Sequence, residues 1–194
     1  MKTNLVVLQI DKLLGSAGFI RRKMTWNRSN NSYVDVIDLQ LSKAGDAITI
    51  NAGVMDQWVY KICWDAPPPT FVEEPLCTVR SRIGLLLDGK DVWWREMDEK
   101  GMDEVVENIR AHVLPFLDRM HSVETMVKQL ADAGVVRQKY PPPIIYFGVL
   151  RWKNGDAAGA RTLLDDLRKQ TVDAWQTRIE KVVEKLSVDK RAQV

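Results

Sequence analysis

The clearest pattern of apolar and polar positions lies between residues 33 and 55. Residues 34–41 are rich in aliphatic and β-branched side chains, and residues 47–55 alternate between apolar and polar positions. Residues 42–46 include serine, glycine and aspartate, which favour a turn. The pattern predicts a β-hairpin. Because an isolated hairpin is only marginally stable in water, we expect further strands or a covering helix to pack on it.

The segment before the hairpin predicts a helix and a strand. Apolar side chains recur at helical spacing over residues 4–14, where Asn4 can cap the start and either Gly15 or Gly18 can end the helix. We expect this helix to lie on the sheet. Residues 19–28 alternate in a way that predicts one strand, followed by a polar turn at residues 29–32.

The chain is less regular after the hairpin. We interpret residues 58–64 as an extension of the sheet, and the consecutive prolines at residues 67–69 as a stiff linker. Docking of these prolines in an aromatic groove is the less favoured alternative. Residues 76–84 predict another strand, and residues 92–94 predict a last short one. Residues 85–88 either continue the former strand or begin a short helix.

From residue 102 the spacing of apolar residues becomes helical and remains so to residue 117. Pro115 lies inside this pattern, and we expect it to kink or end the helix near Leu114, because proline lacks the amide hydrogen that a helix needs. Further helical stripes follow, with a linker expected at residues 140–143, whose last proline suits the first helical position. The stripes cover residues 123–130, 144–152, 157–167 and 172–186.

Together these elements predict an α+β fold: an antiparallel sheet of about four to five strands covered by helices, followed by a C-terminal helical hairpin or bundle. We expect residues 1–134 to form the α+β domain and residues 135–194 to form a helical extension packed on or beside it. Residues 144–170 look like one hairpin of a tetratricopeptide-like repeat. Because no second copy follows at a fixed period, a lone helix pair is the better interpretation.

Composition narrows the class of protein. The 194 residues include 28 basic and 26 acidic ones, so the net charge is only +2, which argues against nucleic-acid binding. No apolar run reaches the length of a membrane span, and the apolar start is too short for a signal peptide. Cys63 and Cys77 have no metal-binding spacing, and we expect two reduced thiols rather than a disulfide between them. We therefore expect a cytoplasmic protein without a cofactor or metal.

Strand alternation places several polar side chains on shared strand faces. Asp38 and Gln40 share a face of one strand, and Asn51 lies on the polar face of the next. Arg80 and Arg82 share a face of a third strand. If these faces coincide, the two guanidinium groups could bind an anionic ligand bidentately. The favoured alternative is that both arginines pair with Asp38 and neighbouring acids and so stabilise the sheet.

Trp93 and Trp94 project from opposite faces of their predicted strand, so one indole is expected in the core. The other is either covered by a helix or exposed as an anchor for a protein partner, and burial of both is the more common outcome. His112 and His121 have no metal-ligand spacing. The sequence contains no glycine-rich phosphate loop and no nucleophile elbow, so we predict no catalytic residue.

Several short motifs occur in an order that is typical of one known family. They are Gly18-Phe19-x-Arg21-Arg22-x-x-x-Trp26, Val36-Ile37-Asp38-Leu39-Gln40-x-Ser42, Thr49-Ile50-Asn51-x-Gly53-Val54, Cys77-x-x-Arg80-x-Arg82-Ile83-Gly84 and Asp91-x-Trp93-Trp94. In this order, and over roughly residues 5–120, the chain resembles the bacterial family called domain of unknown function 4304. The resemblance implies an α+β domain in the bacterial cytosol. It implies no activity, because the family has none assigned.

The favoured hypothesis is a non-enzymatic protein-interaction module that binds an unknown protein partner through its sheet face or its C-terminal helices. A toxin-neutralising immunity protein is one concrete form. The alternative is a domain, enzymatic or not, that binds a small anion or a nucleotide through its arginines. A homodimer built on the C-terminal helices fits either. The candidate binding residues are Asp38, Gln40, Asn51, Arg80, Arg82, Trp93 and Trp94.

Overall fold

The computed structural model describes residues 3–30, 32–95 and 98–192. The predicted turn residue Asn31 lies outside these ranges, and so does the side chain of the predicted cap Asn4. The chain forms two compact units. The first consists of Met1–Met55 and Pro69–Met120, and the second of Asp56–Pro68 and His121–Val194. The predicted division into domains at residue 134 stays a prediction.

The first unit is built on a five-stranded antiparallel sheet with the strand order β1-β2-β3-β4-β5. The strands are β1 (Ile20–Arg22), β2 (Thr25–Ser29), β3 (Tyr33–Leu41), β4 (Ile48–Asp56) and β5 (Val79–Arg82). β3 and β4 confirm the predicted hairpin. The Ser42 hydroxyl holds its turn by accepting hydrogen bonds from the amides of Asp46 and Ala47. Strands that are consecutive in sequence are neighbours in the sheet, so the topology is a meander.

Among the described residues, one α-helix precedes β1, one lies between β4 and β5, and the others follow β5. In chain order they are α1 (Thr3–Ser16), α2 (Gln57–Trp64), α3 (Ile83–Leu87), α4 (Glu99–Asn108), α5 (Leu114–Arg119), α6 (Val123–Asp132), α7 (Pro141–Lys153), α8 (Ala157–Gln170) and α9 (Asp173–Ala192). The sheet, its covering helices and the C-terminal helices confirm the predicted α+β fold.

One strand was predicted over residues 19–28, and this prediction is wrong because the chain reverses within the segment. Arg22 pairs with Thr25, so β1 and β2 form a tight hairpin with a two-residue turn. Lys23 in that turn has a left-handed backbone with φ of 54°. Short hairpin turns need such a conformation. Lysine gives no turn signal in a sequence, so the alternation was interpreted as continuous.

Helix α1 lies on one face of the sheet, as predicted. The indole nitrogen of Trp26 in β2 donates a hydrogen bond to Asp11 of α1 at 2.9 Å. Helix α4 packs beside α1, and the two helices bury apolar side chains such as Ile10, Leu14 and Val105. The core of the first unit therefore lies between these helices and the sheet.

The helical segment that begins with α4 continues past Pro115. A π-helical turn (Ile109–Val113) follows α4, and α5 follows that turn directly. The amide of Leu114 donates to the carbonyl of Ile109, five residues earlier. This wider spacing carries the backbone to a proline that cannot donate a hydrogen bond. Near Leu114 the helical segment therefore changes from a π-helical turn to an α-helix, where a kink or a helix end was expected.

Two further strand predictions are corrected. The strand expected over residues 76–84 is confined to β5, because a short 3-10 helix (Glu74–Leu76) precedes it and α3 follows it. Residues 92–94 form no strand, since only Trp94 pairs with the sheet, in an isolated bridge to Ile48. The chain before Trp94 is therefore a loop that carries side chains along the edge of the sheet.

In the second unit, residues 58–64 form helix α2 rather than an extension of the sheet. Asp56 caps this helix, since its Oδ1 accepts hydrogen bonds from the amides of Trp58 and Val59 at 3.0 and 3.1 Å. Helix α2 packs on α7 and α9 and buries Val59 and Cys63. Aromatic and β-branched residues favour strands locally, but the cap and this burial stabilise the helix.

The other helices of the second unit follow the predicted stripes. Helix α7 begins at Pro141, two residues before the start expected at Pro143, because prolines are tolerated in the first helical turn. Helices α7 and α8 pack closely at Gly148. A Cβ atom built on this glycine would lie 2.8 Å from the side chain of Leu164. The absence of a side chain therefore allows the two helices to approach each other.

Candidate functional site

One face of the sheet in the first unit carries a row of polar side chains. Directly paired residues of neighbouring strands project from the same face of a sheet. Arg22 pairs with Thr25, and Thr25 pairs with Asp38. Asn51 pairs with Arg82 on the last two strands. The row therefore reaches from β1 to β5.

Gln40 and Asn51 join the two halves of this row. Gln40 lies on the same face of β3 as Asp38, and its Oε1 accepts a hydrogen bond from Asn51 Nδ2 at 2.9 Å. Arg82 Nε donates to Asn51 Oδ1 at 3.2 Å. Arg82 Nη2 donates to Gln40 Oε1 at 3.4 Å. The two amide side chains thus orient the guanidinium group, whose donors lie in one plane.

Arg82 also binds the loop that follows α3. Its Nη1 lies 3.0 and 2.9 Å from the two carboxylate oxygens of Asp91. The indole nitrogen of Trp93 donates to Asp91 Oδ2 at 2.9 Å, and Arg82 Cζ lies 5.4 Å from the centre of the Trp93 ring. This distance allows a cation–π interaction. We refer to Gln40, Asn51, Arg82, Asp91 and Trp93 as the Arg82 cluster.

The charges within the Arg82 cluster balance. The hydrogen bond from the Trp93 indole, followed by the hydrogen bond and the charge of Arg82, lowers the pKa of Asp91. The side chains of Arg82 and Asp91 are 33% and 52% exposed, so solvent or a partner can reach both. A small anion at this position would have to displace the carboxylate that Arg82 already binds.

The β1 end of the row is organised around Arg22. Its Cζ lies 4.8 Å from the centre of the Phe71 ring. Within the part of the chain that the structure describes, this exposed guanidinium group makes no ion pair. Asp38 accepts a hydrogen bond from the Thr25 hydroxyl at 2.8 Å. The β1 end of this sheet face therefore offers a second arginine stacked on an aromatic ring.

Arg80 lies on the same face of β5 but does not belong to the Arg82 cluster. Its Nε and Nη2 donate to the two carboxylate oxygens of Glu74 at 2.7 and 2.8 Å. Glu74 is only 8% exposed, and it lies in the 3-10 helix before β5. Both predicted arginines thus have carboxylate partners, although neither partner is Asp38.

Trp94 is also separate from the cluster, although it follows Trp93 directly. Its side chain is buried, and its indole nitrogen donates to Glu104 Oε1 at 3.1 Å. Trp94 is therefore a core residue. Asp91, by contrast, belongs to the cluster but was not among the predicted binding residues. Its position two residues before Trp93 was the available signal, because such side chains point to the same side of an extended segment.

Other reactive side chains are placed for structural roles. Burial raises the pKa of the Cys63 and Cys77 thiols, so both stay protonated and weakly nucleophilic at neutral pH. Among the described residues, no group of three or more histidine, cysteine, aspartate or glutamate side chains could hold a metal ion. Over the same residues, no helix combines the length and the apolar character that crossing a membrane requires.

A family model described as Domain of unknown function (DUF4304) matches residues 10–119, which is more than half of the chain. The chain belongs to the DUF4304 family. The resemblance inferred from the sequence motifs is therefore confirmed. No match was found among curated proteins or among solved structures. The DUF4304 match includes every residue of the Arg82 cluster and ends before the helices α6 to α9.

The Arg82 cluster gives this DUF4304 domain a surface that can make several kinds of contact. An indole face, the edge of a guanidinium group and two amides lie within one hydrogen-bonded set. Such groups form aromatic contacts and directional hydrogen bonds with a partner. They also keep their geometry in the free protein, because each is held by its neighbours.

Proposed function

We propose that this DUF4304 protein is a protein-interaction module and that its first unit contacts a protein partner through the Arg82 cluster. The main observation in support of this proposal is the stacked, half-buried pair of Arg82 and Trp93 on an accessible sheet face. Tryptophan and arginine are the residue types that contribute most strongly to protein–protein binding. A toxin-neutralising immunity protein in the bacterial cytoplasm is the specific form that we propose.

Preorganisation supports this proposal. Fixing a flexible side chain during association costs about 0.5–1.5 kcal/mol. Arg82 is already fixed in the free protein by hydrogen bonds to Gln40, Asn51 and Asp91. A partner that binds this surface therefore loses less free energy to the ordering of Arg82 than it would with an unsupported arginine.

At Arg80 and Arg82, the balance of charge favours a protein partner over a small anion. Arg80 and Arg82 each bind a carboxylate of the same unit. A phosphate or a carboxylate ligand would have to break one of these pairs and would also meet the negative charge that it displaced. A protein surface can instead contact the indole and the amides and leave both pairs intact.

The test begins with chemical cross-linking of the tagged full chain in lysate of its source organism. The cross-linked protein is identified by mass spectrometry and then produced separately, so that its Kd can be measured by calorimetry. We expect Trp93→Ala to raise the Kd by about tenfold or more, as for a binding hot spot. Trp93→Phe keeps an aromatic ring without the indole donor, and we expect a smaller increase.

Arg95→Ala is the matched control in the same unit. The side chain of Arg95 is 75% exposed, and it pairs with Asp46 rather than with the Arg82 cluster. We expect this variant to bind the partner with a Kd close to that of the unmodified protein. The proposal is wrong if the Trp93 and Arg95 variants bind equally well while circular dichroism shows that both are folded.

A further inference from the structure

The second unit contains a groove that the proposed function does not use. It lies between the chain around residues 136–139 and the C-terminal part of α8, and its volume is about 510 Å³. Ile144, Leu163 and Leu167 provide an apolar lining. A groove of this volume, with apolar side chains in its lining, can accept one or two apolar side chains of a partner.

Exposed apolar side chains extend the surface of this groove. Val136 lines it and is 52% exposed. Tyr140 and Val172 directly follow lining residues of the two walls, and they are 62% and 70% exposed. The ring of Tyr140 stacks edge-on against Trp175, with the ring centres 6.3 Å apart. Exposed apolar side chains that border one groove can form part of an interaction surface.

The groove is also bordered by unpaired positive charge. Arg137 and Lys139 line one wall, and neither forms an ion pair with any residue that the structure describes. Asp166 on the other wall is already bound by Lys169 at 3.0 Å. Asp173, which follows Val172, adds one exposed negative charge. The free charge on the wall formed by residues 136–139 is therefore positive.

We infer that this groove binds an acidic peptide segment of a partner protein, with apolar side chains of the segment in the groove and its carboxylates on Arg137 and Lys139. Helical and extended segments dock in this way when apolar anchors and charges match the groove. The amide side chains of Gln138 and Gln170, which also line the groove, can pair with polar groups of the segment. This site is independent of the Arg82 cluster.

The experiment selects ligands for the full chain from a random peptide library displayed on phage. Selected peptides are synthesised with a fluorescent label, and their Kd is measured by fluorescence anisotropy. We expect the selected sequences to be enriched in aspartate or glutamate together with leucine, phenylalanine or similar anchors. The double variant R137E/K139E should raise the Kd by at least about tenfold, because it reverses the charge that the peptide contacts.

The matched control is the double variant K128E/K181E, which changes the net charge equally at exposed positions of α6 and α9. It should change the Kd by less than about threefold. A third variant, Val136→Asp, should weaken binding through the loss of an apolar contact. Circular dichroism confirms that each variant is folded.

The inference is overturned if the library yields no binder or if the selected peptides are basic. It is also overturned if R137E/K139E and its control weaken binding equally, since the attraction would then be unspecific. The same conclusion follows if Trp93→Ala abolishes peptide binding, because the peptides would then occupy the first unit. If Trp93→Ala abolishes binding of the protein partner but not of the peptides, the result supports the proposed function and agrees with a separate peptide site in the groove.

Discussion

A buried ion pair in the second unit allows a quantitative test of the structure. The carboxylate of Asp56 is 1% exposed, and its Oδ1 caps α2 through the amides of Trp58 and Val59. Its Oδ2 accepts a hydrogen bond from Lys153 Nζ at 2.6 Å. Lys153 is the last residue of α7, so this contact joins the end of one helix to the start of another.

The substitution Lys153→Met keeps the aliphatic part of the side chain and removes its charge. Removing one partner of a buried ion pair costs about 3–5 kcal/mol. The Lys153 side chain is 28% exposed, so water screens part of the interaction, and we expect a loss of about 2–3 kcal/mol. Asp56→Asn keeps the capping oxygen and leaves a lysine that can turn to solvent, so we expect this variant to lose about 1–2 kcal/mol of stability.

Urea unfolding of both variants and of the double variant at neutral pH measures these values. Because the two substitutions remove the same contact, the double variant should cost about 1–2 kcal/mol less than the sum of the single variants. Lys128→Met is the control, since Lys128 pairs with Asp132 on the surface and should cost about 0.5 kcal/mol or less. Additive effects, or equal effects of the Lys153 and Lys128 substitutions, would show that the contact between Asp56 and Lys153 does not stabilise the protein in this way.

Three further predictions concern other parts of the chain. The pKa of Asp91 is lowered in the folded protein, so its stabilising effect is fully present above the ordinary aspartate pKa of about 3.9. This effect is lost as the pH falls through the lower pKa of the folded state. The NMR signal of the Trp93 indole should therefore titrate below about pH 3.9. Gly148→Ala should destabilise the protein by about 1–3 kcal/mol in urea unfolding. Gly15→Ala in α1 should instead stabilise it by about 0.5–1 kcal/mol, because the space around Gly15 is open. Arg80→Ala should lower stability by about 1–3 kcal/mol, because it leaves a buried carboxylate without its cation, and should leave the Kd for the partner unchanged.

Periodicity was sufficient to predict the central hairpin and much of the polar surface on the sheet. A period of two residues determines which strand face carries a side chain. The sequence therefore placed Gln40 with Asp38 on one face and Asn51 on the polar face of the next strand. The structure joins Gln40, Asn51 and Arg82 by hydrogen bonds. For these residues the local pattern and the tertiary arrangement agree.

The errors occur where tertiary contacts oppose local propensity. Residues 58–64 are rich in aromatic and β-branched side chains, which favour a strand. They form a helix because Asp56 caps the first turn and because Val59 and Cys63 are buried against other helices. The turn at Lys23 was missed because no residue there has the backbone preference that the turn requires.

The identity of the arginine partners could not be deduced from periodicity. Glu74 lies six positions before Arg80 in the sequence, and Asp91 lies nine positions after Arg82. Both acids are outside regular strands, so their side-chain directions depend on the paths of the connecting segments. An irregular backbone has no fixed relation between sequence separation and direction. The sequence therefore predicted arginines that pair with acids, but the acid that it named, Asp38, is the partner of neither arginine.

The two surfaces differ in their relation to the family. The Arg82 cluster lies wholly within residues 10–119, which the DUF4304 model matches, whereas the groove lies beyond residue 119. A property shared by DUF4304 proteins must depend on the matched segment, so the Arg82 cluster is the better basis for a family function. The matched segment also contains α2, whose buried face is completed by α7 and α9 in this chain. A family member without these helices would need another apolar surface to cover α2, since exposure of Val59 and Cys63 would cost free energy.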